Sequence, residues 1–74
     1  MGARVLINEI WYKSAKVAGP WPLNVIVRDG AVELWGLVES AAEKTAIRVT
    51  AEETEGARAV TDNIIVRPVT FGDH

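Results

Sequence analysis

The stretch Leu23 to Ser40, LNVIVRDGAVELWGLVES, decides the fold because it reads as a β-hairpin that leads into a helix. Asp29 and Gly30 form the dipeptide that favours a two-residue type I′ turn, in which both central residues need a positive φ. With Arg28 and Ala31 flanking that turn, the register of the two strands is fixed.

This register sorts the side chains of the hairpin onto two faces, since alternate residues of a strand share one face. One face is almost entirely aliphatic and must be buried; its cross-strand pairs are Leu23 with Gly36, Val25 with Leu34, and Val27 with Val32. The other face is mixed with an apolar centre, and it carries Asn24, Ile26, Arg28, Ala31, Glu33, Trp35 and Leu37.

Length and composition indicate one small globular domain. The 74 residues are 49% hydrophobic, which argues against disorder. Cysteine is absent, so neither a disulfide framework nor a thiolate metal site can supplement the core. The net charge of −2, with basic residues scattered along the chain, disfavours nucleic acid and anionic membrane as electrostatic partners.

The first ten residues, MGARVLINEI, lack the basic region, apolar stretch and cleavage site of a secretory signal. No apolar run approaches the ~20 residues that a transmembrane helix needs. We therefore expect a cytoplasmic domain, or a periplasmic one if a parent protein carries a leader that precedes this segment.

Helical periodicity predicts a first helix over residues 3–15, ended by the segment Ala18 to Pro22, whose two prolines impose an extended or turning backbone. Trp21, between those prolines, is expected to pack over one end of the core. The stripe that should face the core comprises Ala3, Leu6, Ile7, Ile10, Trp11 and Ser14.

A second helix should begin after Ser40, which forms a capping box with Glu43, and run to about Glu55. Gly56 is the expected left-handed residue that stops it. The side predicted to face the sheet is rich in small residues and comprises Ala42, Ala46, Val49 and Thr50.

Residues 58–66 predict a third strand that Pro68 ends. Its alternation places Val60, Ile64 and Val66 on one face and Thr61, Asn63 and Ile65 on the other. Residues 69–74 are expected to be a frayed tail.

The predicted order is helix, strand, strand, helix, strand. Because a strand–helix–strand crossover is right-handed and parallel, residues 31–38 should pair antiparallel with the first strand and parallel with the third. Two helices on one face of this three-stranded mixed sheet give a two-layer α+β domain. Its core should span residues 3–67, with a tail over 68–74 and the opposite sheet face uncovered.

This pattern resembles the BON domain, named for bacterial osmotically induced and nodulation proteins. The resemblance spans about residues 23 to 66 and combines the turn, the helix cap and the stop glycine at matching spacings. The residues that carry it are Val25, Val27, Asp29, Gly30, Val32, Leu34, Gly36, Val38, Ser40, Glu43, Ala46, Gly56, Val60, Asp62 and Ile64.

The run Leu34-Trp35-Gly36, with Ala51-Glu52 later, looks most like the BON domain at the C-terminus of bacterial proteins that also carry a pair of CBS domains. No CBS segment is present here, so the chain would be the tail module of such a protein. The resemblance implies a non-enzymatic domain that binds phospholipid or associates with membranes. Any nucleotide sensing would belong to the CBS domains.

The sequence contains few candidates for catalytic residues. Gly30, Gly36 and Gly56 have no phosphate-loop spacing, and a turn, close packing and a helix cap account for them. The glutamates at 52, 53 and 55 fan around a helix, which predicts a solvated acidic surface. We therefore expect no enzyme activity and no cofactor.

Metal and triad chemistry are equally unsupported. His74 is the sole histidine and has only Asp73 nearby, whereas a stable site needs three or four converging ligands. Without cysteine, and with one terminal histidine, nucleophilic triads are excluded. No metal site is expected.

The uncovered sheet face is the candidate functional surface, with Ile26, Trp35, Leu37 and Ile65 as its apolar residues. Three covers are open: the linker over residues 19–22, a second copy of the domain, or another part of a parent protein. The leading hypothesis is a non-catalytic interaction module that docks to itself or to other domains. The alternative is phospholipid binding, with Trp11, Trp21 and Trp35 as interfacial anchors.

Overall fold

The computed structural model describes residues 2–19 and 22–68. Its elements, in chain order, are helix α1 (Ala3–Ala18), strands β1 (Leu23–Arg28) and β2 (Ala31–Val38), helix α2 (Ala41–Glu53) and strand β3 (Ala59–Val66). The predicted α+β class and α-β-β-α-β order are confirmed. The expectations for Trp21, His74 and the tail over 69–74 lie outside the described residues.

The sheet has the order β1-β2-β3, so β2 is its central strand. β1 pairs antiparallel with β2, and β3 pairs parallel with it, as predicted. Asp29 and Gly30 have φ values of 54° and 82°, which is the backbone of a type I′ turn. The turn sets the predicted register, with Val25 opposite Leu34.

Both helices pack on one face of this sheet, and the core lies between the two layers. The inward residues of β2 are almost fully buried, since Val32, Leu34 and Val38 are 0–2% exposed. The other layer and the neighbouring strand complete the core with Leu6, Ile10, Ala18, Ile47, Ala51 and Ile64.

Helix α1 differs from its prediction in length and in its buried stripe. It continues to Ala18 and stops at Gly19, whose φ of 90° a residue with a side chain rarely adopts. Leu6, Ile10, Ser14 and Ala18 are its buried residues. Trp11 was expected on the core stripe, but it is 57% exposed, because it lies at the margin of the stripe.

Helix α2 begins at the predicted cap. The Ser40 Oγ accepts a hydrogen bond from the Glu43 backbone N–H at 3.2 Å, which satisfies a helix N–H that has no partner within the helix. The Glu43 carboxylate accepts hydrogen bonds from the Ser40 hydroxyl at 3.0 Å and from the backbone N–H of Glu39 at 3.2 Å. The loop before the helix is thereby tied to its first turn.

Two other predictions for α2 are wrong. The helix ends at Glu53 instead of Glu55, because Thr54 leaves the helical conformation and its hydroxyl donates to the Thr50 carbonyl oxygen at 2.7 Å. The buried residues of α2 are Ile47 and Ala51, so the helix is rotated relative to the face predicted through Ala42, Ala46, Val49 and Thr50. Neither helix is long and apolar enough to cross a bilayer, within the part of the chain that the structure describes.

Candidate interaction surface

The sheet face opposite the helices carries the four apolar residues that the sequence singled out. Ile26, Trp35 and Leu37 are 42–45% exposed and Ile65 is 61% exposed. We call these four residues the outer patch. No described element packs over them, since both helices lie against the other face.

Strand register determines which members of the outer patch are neighbours. Leu37 on β2 lies directly beside Ile65 on β3, and Trp35 is the next residue of β2 on the same face. Ile26 on β1 lies opposite Glu33 and is therefore diagonal to Trp35. The sheet thus brings Trp35, Leu37 and Ile65 together and places Ile26 at the margin of the patch.

The indole of Trp35 is held by a hydrogen bond along its own strand. Its Nε1–H donates to the Glu33 Oε1 at 2.7 Å, a short charge-assisted bond. This bond satisfies the polar atom of the indole, so a partner can cover the ring without leaving an unpaired N–H. It also restricts the rotamers of the ring before docking. Less side-chain entropy is therefore lost when a partner covers it.

Polar residues surround the outer patch. Asn24 and Asn63 flank Trp35 on the two neighbouring strands. Near the hairpin end, a depression of about 140 Å³ lies between Ile26, Thr61 and neighbouring residues. This volume is below the ~300–1,000 Å³ of typical ligand pockets. The outer face therefore has an apolar centre, a polar rim and no pocket of typical ligand size among the described residues.

The carboxylates considered for catalysis do not converge. Glu52 lies within 3.1 Å of the Arg48 guanidinium in a surface i,i+4 ion pair. Glu53 and Glu55 are exposed on other sides of the α2 C-terminus and the loop after it. Over residues 2–19 and 22–68, no group of three or more His, Cys, Asp and Glu side chains is placed to hold a metal ion.

A cleft at the hairpin end of the domain was not predicted from the sequence. It has a volume of about 420 Å³ and lies between the start of α1, the end of β1 and the loop before β3; its lining is Ala3, Leu6, Val27, Asp29, Gly30, Gly56 and Arg58. Only the packing of three separate segments creates it, so no local pattern could have indicated it.

The two edges of the sheet differ. On β3, the backbone N–H of Ile64 donates to the Asp62 Oδ1 at 3.0 Å, and the Ile64 carbonyl oxygen accepts from the Lys44 Nζ at 2.5 Å. Lys44 and Asp62 also lie 3.8 Å apart as an ion pair. Side chains of the domain itself therefore occupy the middle of the free β3 edge.

On the β1 edge, side-chain cover is confined to one end. The Trp11 Nε1–H donates to the Leu23 carbonyl oxygen at 3.1 Å. Among the residues that the structure describes, no side chain bonds the backbone of Val25 or Val27, the next residues of β1 with the same orientation. Within the described part of the chain, the β1 edge is thus open over most of its length.

Comparison with known proteins places this geometry in a family. The family model for the BON domain matches residues 13–68, from the second half of α1 through β3. A search of curated proteins finds no match. BON is a family of non-catalytic domains implicated in protein or phospholipid interactions. Because the match covers most of the sequence and all three strands, the chain belongs to the BON domain family.

Proposed function

We propose that this chain is a non-catalytic interaction module that docks to a folded protein surface through the outer patch. The observation that carries the proposal is Trp35, which is 45% exposed at the centre of the sheet while its N–H is already bound to Glu33. The surface it meets is either a second copy of the chain or a neighbouring domain of a parent protein.

The energetics favour covering this residue. A tryptophan buries ~150–250 Å² on full burial. Covering the exposed half of Trp35 at ~25 cal/mol/Å² is therefore worth about 3 kcal/mol as an upper limit. Leu37 and Ile65 add to this in the same contact, and the asparagines on either side of the indole remain available for rim hydrogen bonds.

A protein with Trp35 as its single tryptophan tests the proposal. Trp11→Phe and Trp21→Phe remove the other two indoles, and acrylamide quenching then reports the exposure of Trp35 alone. We expect quenching to fall when the protein is concentrated, or when the domain is measured within the complete gene product. Equal quenching in the dilute domain, the concentrated domain and the gene product would overturn the proposal.

Matched variants identify the surface. Trp35→Ala should abolish the association that shields the outer patch, because it removes the central anchor. Tyr12→Ala is the control, since Tyr12 is an aromatic residue that is 62% exposed on α1, in the other layer. An equal loss of association in both variants would contradict docking through the outer face.

Phospholipid binding is the second candidate, supported by the BON family and by the exposure of Trp11 and Trp35. Trp11 belongs to the helical layer and Trp35 to the opposite face of the sheet, so a flat bilayer that buries one leaves the other behind the sheet. Co-sedimentation with phosphatidylglycerol vesicles at low salt tests this candidate. Binding that Trp35→Ala removes would replace a protein partner with a lipid surface, whereas no binding would remove the candidate.

We also infer that a parent protein carries a pair of CBS domains before this module. The Leu34-Trp35-Gly36 run and the Ala51-Glu52 pair support that architecture by resemblance. The complete gene product tests it directly, since a parent protein without CBS domains would contradict the inference.

A further inference from the structure

We propose that two copies of this chain pair through their β1 edges, antiparallel around a twofold axis at Val25, to form one six-stranded sheet. In this pairing the Trp11 indole of each copy enters the hairpin-end cleft of the other. The β1 edge is a different surface from the outer patch, so this proposal goes beyond the proposed function and can fail independently of it.

The first argument is the difference between the two sheet edges. An unpaired edge strand offers N–H and C=O groups that another strand can bond. On β3 the backbone N–H of Ile64 already donates to Asp62 and its carbonyl oxygen accepts from Lys44, which blocks a strand from pairing along the middle of that edge. On β1 the Leu23 carbonyl oxygen accepts from Trp11, but a carbonyl oxygen has two lone pairs and can accept a second hydrogen bond. A second strand can therefore add only at β1.

The second argument is the direction of the backbone groups on β1. Arg28 and Ala31 close a two-residue turn, and the pair that closes such a turn is hydrogen-bonded across the hairpin. Orientation alternates along a strand, so Leu23, Val25 and Val27 direct their N–H and C=O groups away from β2. The bond from Trp11 to the Leu23 carbonyl oxygen agrees with this orientation.

These directions fix the register of the pairing. Only a twofold axis at Val25 pairs all three outward residues, with Val25 opposite its own copy and Leu23 opposite Val27. It also keeps like faces together, because inward aliphatic residues meet inward aliphatic residues. Leu23, Val25 and Val27 are only half-buried in the single chain, and the pairing would cover them further.

The side chains meet without charge repulsion. On the outer face of the joined strands, Asn24 lies opposite Ile26 of the second copy at both ends of the axis. Neither is charged, and Arg28 falls beyond the paired residues. An isologous contact needs such self-complementarity, since each residue meets the symmetry-related surface.

The third argument is the position of Trp11. Its hydrogen bond places the indole beside Leu23 on the helical side of the sheet, with 57% of the residue exposed. In the proposed register Leu23 meets Val27 of the second copy, and Val27 lines the cleft together with Leu6 and Arg58. An aromatic anchor therefore faces a cleft of mixed lining, in which Leu6 and Val27 offer apolar contact and the Arg58 guanidinium can stack on the indole.

Cross-linking between single-cysteine variants tests the register. The chain has no native cysteine, so Asn24→Cys and Ile26→Cys can be mixed as two separate proteins. Residues 24 and 26 should form a non-hydrogen-bonded pair, with Cα atoms about 4.5 Å apart, which suits a disulfide. We expect mixed dimers under mild oxidation, at a yield at least tenfold above that of either variant alone.

The matched control for cross-linking is the other edge. Thr61→Cys mixed with Asn63→Cys repeats the same spacing on β3, on the same face of the sheet. We expect little cross-linking there because Asp62 and Lys44 close that edge. Equal cross-linking of the two edges, or none at β1, would overturn the proposal.

A charge pair provides a second test that needs no covalent bond. Asn24→Lys with Ile26→Lys puts two like-charged pairs across the axis, whereas Asn24→Glu with Ile26→Lys makes both pairs complementary. The variants differ only at residue 24, so their outer patches are equally altered. We expect the dimer of the variant with two lysines to be about tenfold weaker in sedimentation equilibrium. Equal dissociation constants of the two variants would refute the pairing, as would a native chain that is monomeric at millimolar concentration.

Single-tryptophan proteins separate this proposal from docking through the outer patch. β1 pairing should shield Trp11 from acrylamide at high protein concentration and leave Trp35 accessible. Shielding of Trp35 without Trp11 would contradict β1 pairing and support the outer patch.

Discussion

Gly36 shows how one residue can set the distance between two segments. It lies on the inward side of the central strand, opposite Leu23. A Cβ atom built there would lie 2.7 Å from the Pro22 carbonyl oxygen, which belongs to the backbone and cannot rotate away. The Pro22 backbone can therefore lie this close to the central strand only because residue 36 has no side chain.

Gly36→Ala should destabilise the fold, because the added methyl group forces the backbone of Pro22 to move. Overpacking of this kind typically costs about 1–3 kcal/mol, and urea unfolding would measure it. Gly2→Ala is the control, since nothing lies within 4 Å of a Cβ built at Gly2. A Gly36→Ala protein as stable as the control would show that the segment has room to move.

At the scale of elements, the hairpin was the most predictable part of the fold. Asp29 and Gly30 determine the turn, the turn determines the register, and the register determines both faces of the sheet. The outer patch followed from the same reasoning, since it needed only strand alternation and a crossover of known hand. Local sequence was sufficient to predict the sheet because the turn dipeptide is compatible with only one strand register.

The helices were less predictable because tertiary packing selects the buried side. Ala42 and Ala46 suggested a close-packing face on α2, yet Ile47 and Ala51 are its buried residues. Trp11 fitted the apolar stripe of α1 but lies beside the β1 edge, where its N–H finds the Leu23 carbonyl oxygen. A tryptophan at the margin of an apolar stripe fits either a buried position or an exposed one beside a strand. Only the position of the neighbouring strand distinguishes the two.

Strand β3 provides a prediction at this scale. Asp62→Ala removes the acceptor of the Ile64 N–H and the ionic partner of Lys44, both in a partly buried setting. We expect a loss of about 2 kcal/mol, since hydrogen bonds to charged groups are worth ~1.5–3 kcal/mol. Chemical denaturation would measure the change.

Asp62→Asn serves as the comparison because its amide oxygen can still accept from Ile64 while the charge is lost. It should retain more than half of the stability that Asp62→Ala loses. Equal losses in both variants would assign the effect to the ion pair with Lys44 instead of the hydrogen bond.

For the whole molecule, both helices and all strands share one core, so the domain should unfold in a single step. Proteins that retain only Trp11 or only Trp35 report from the helical layer and from the outer face. In each protein, the urea midpoint of the fluorescence transition should equal the midpoint of the circular dichroism transition. Midpoints that differ within one protein would indicate that the layers separate before the sheet unfolds.

The closure of β3 by Lys44 and Asp62 has a consequence for how large an assembly can grow. A fibre built by edge-to-edge pairing of sheets requires every subunit to have two sheet edges that can pair. A subunit with a single free sheet edge can pair with only one other subunit. Two side chains, one from α2 and one from β3, would thus limit association through sheet edges to pairs, which protects a small domain from polymerising.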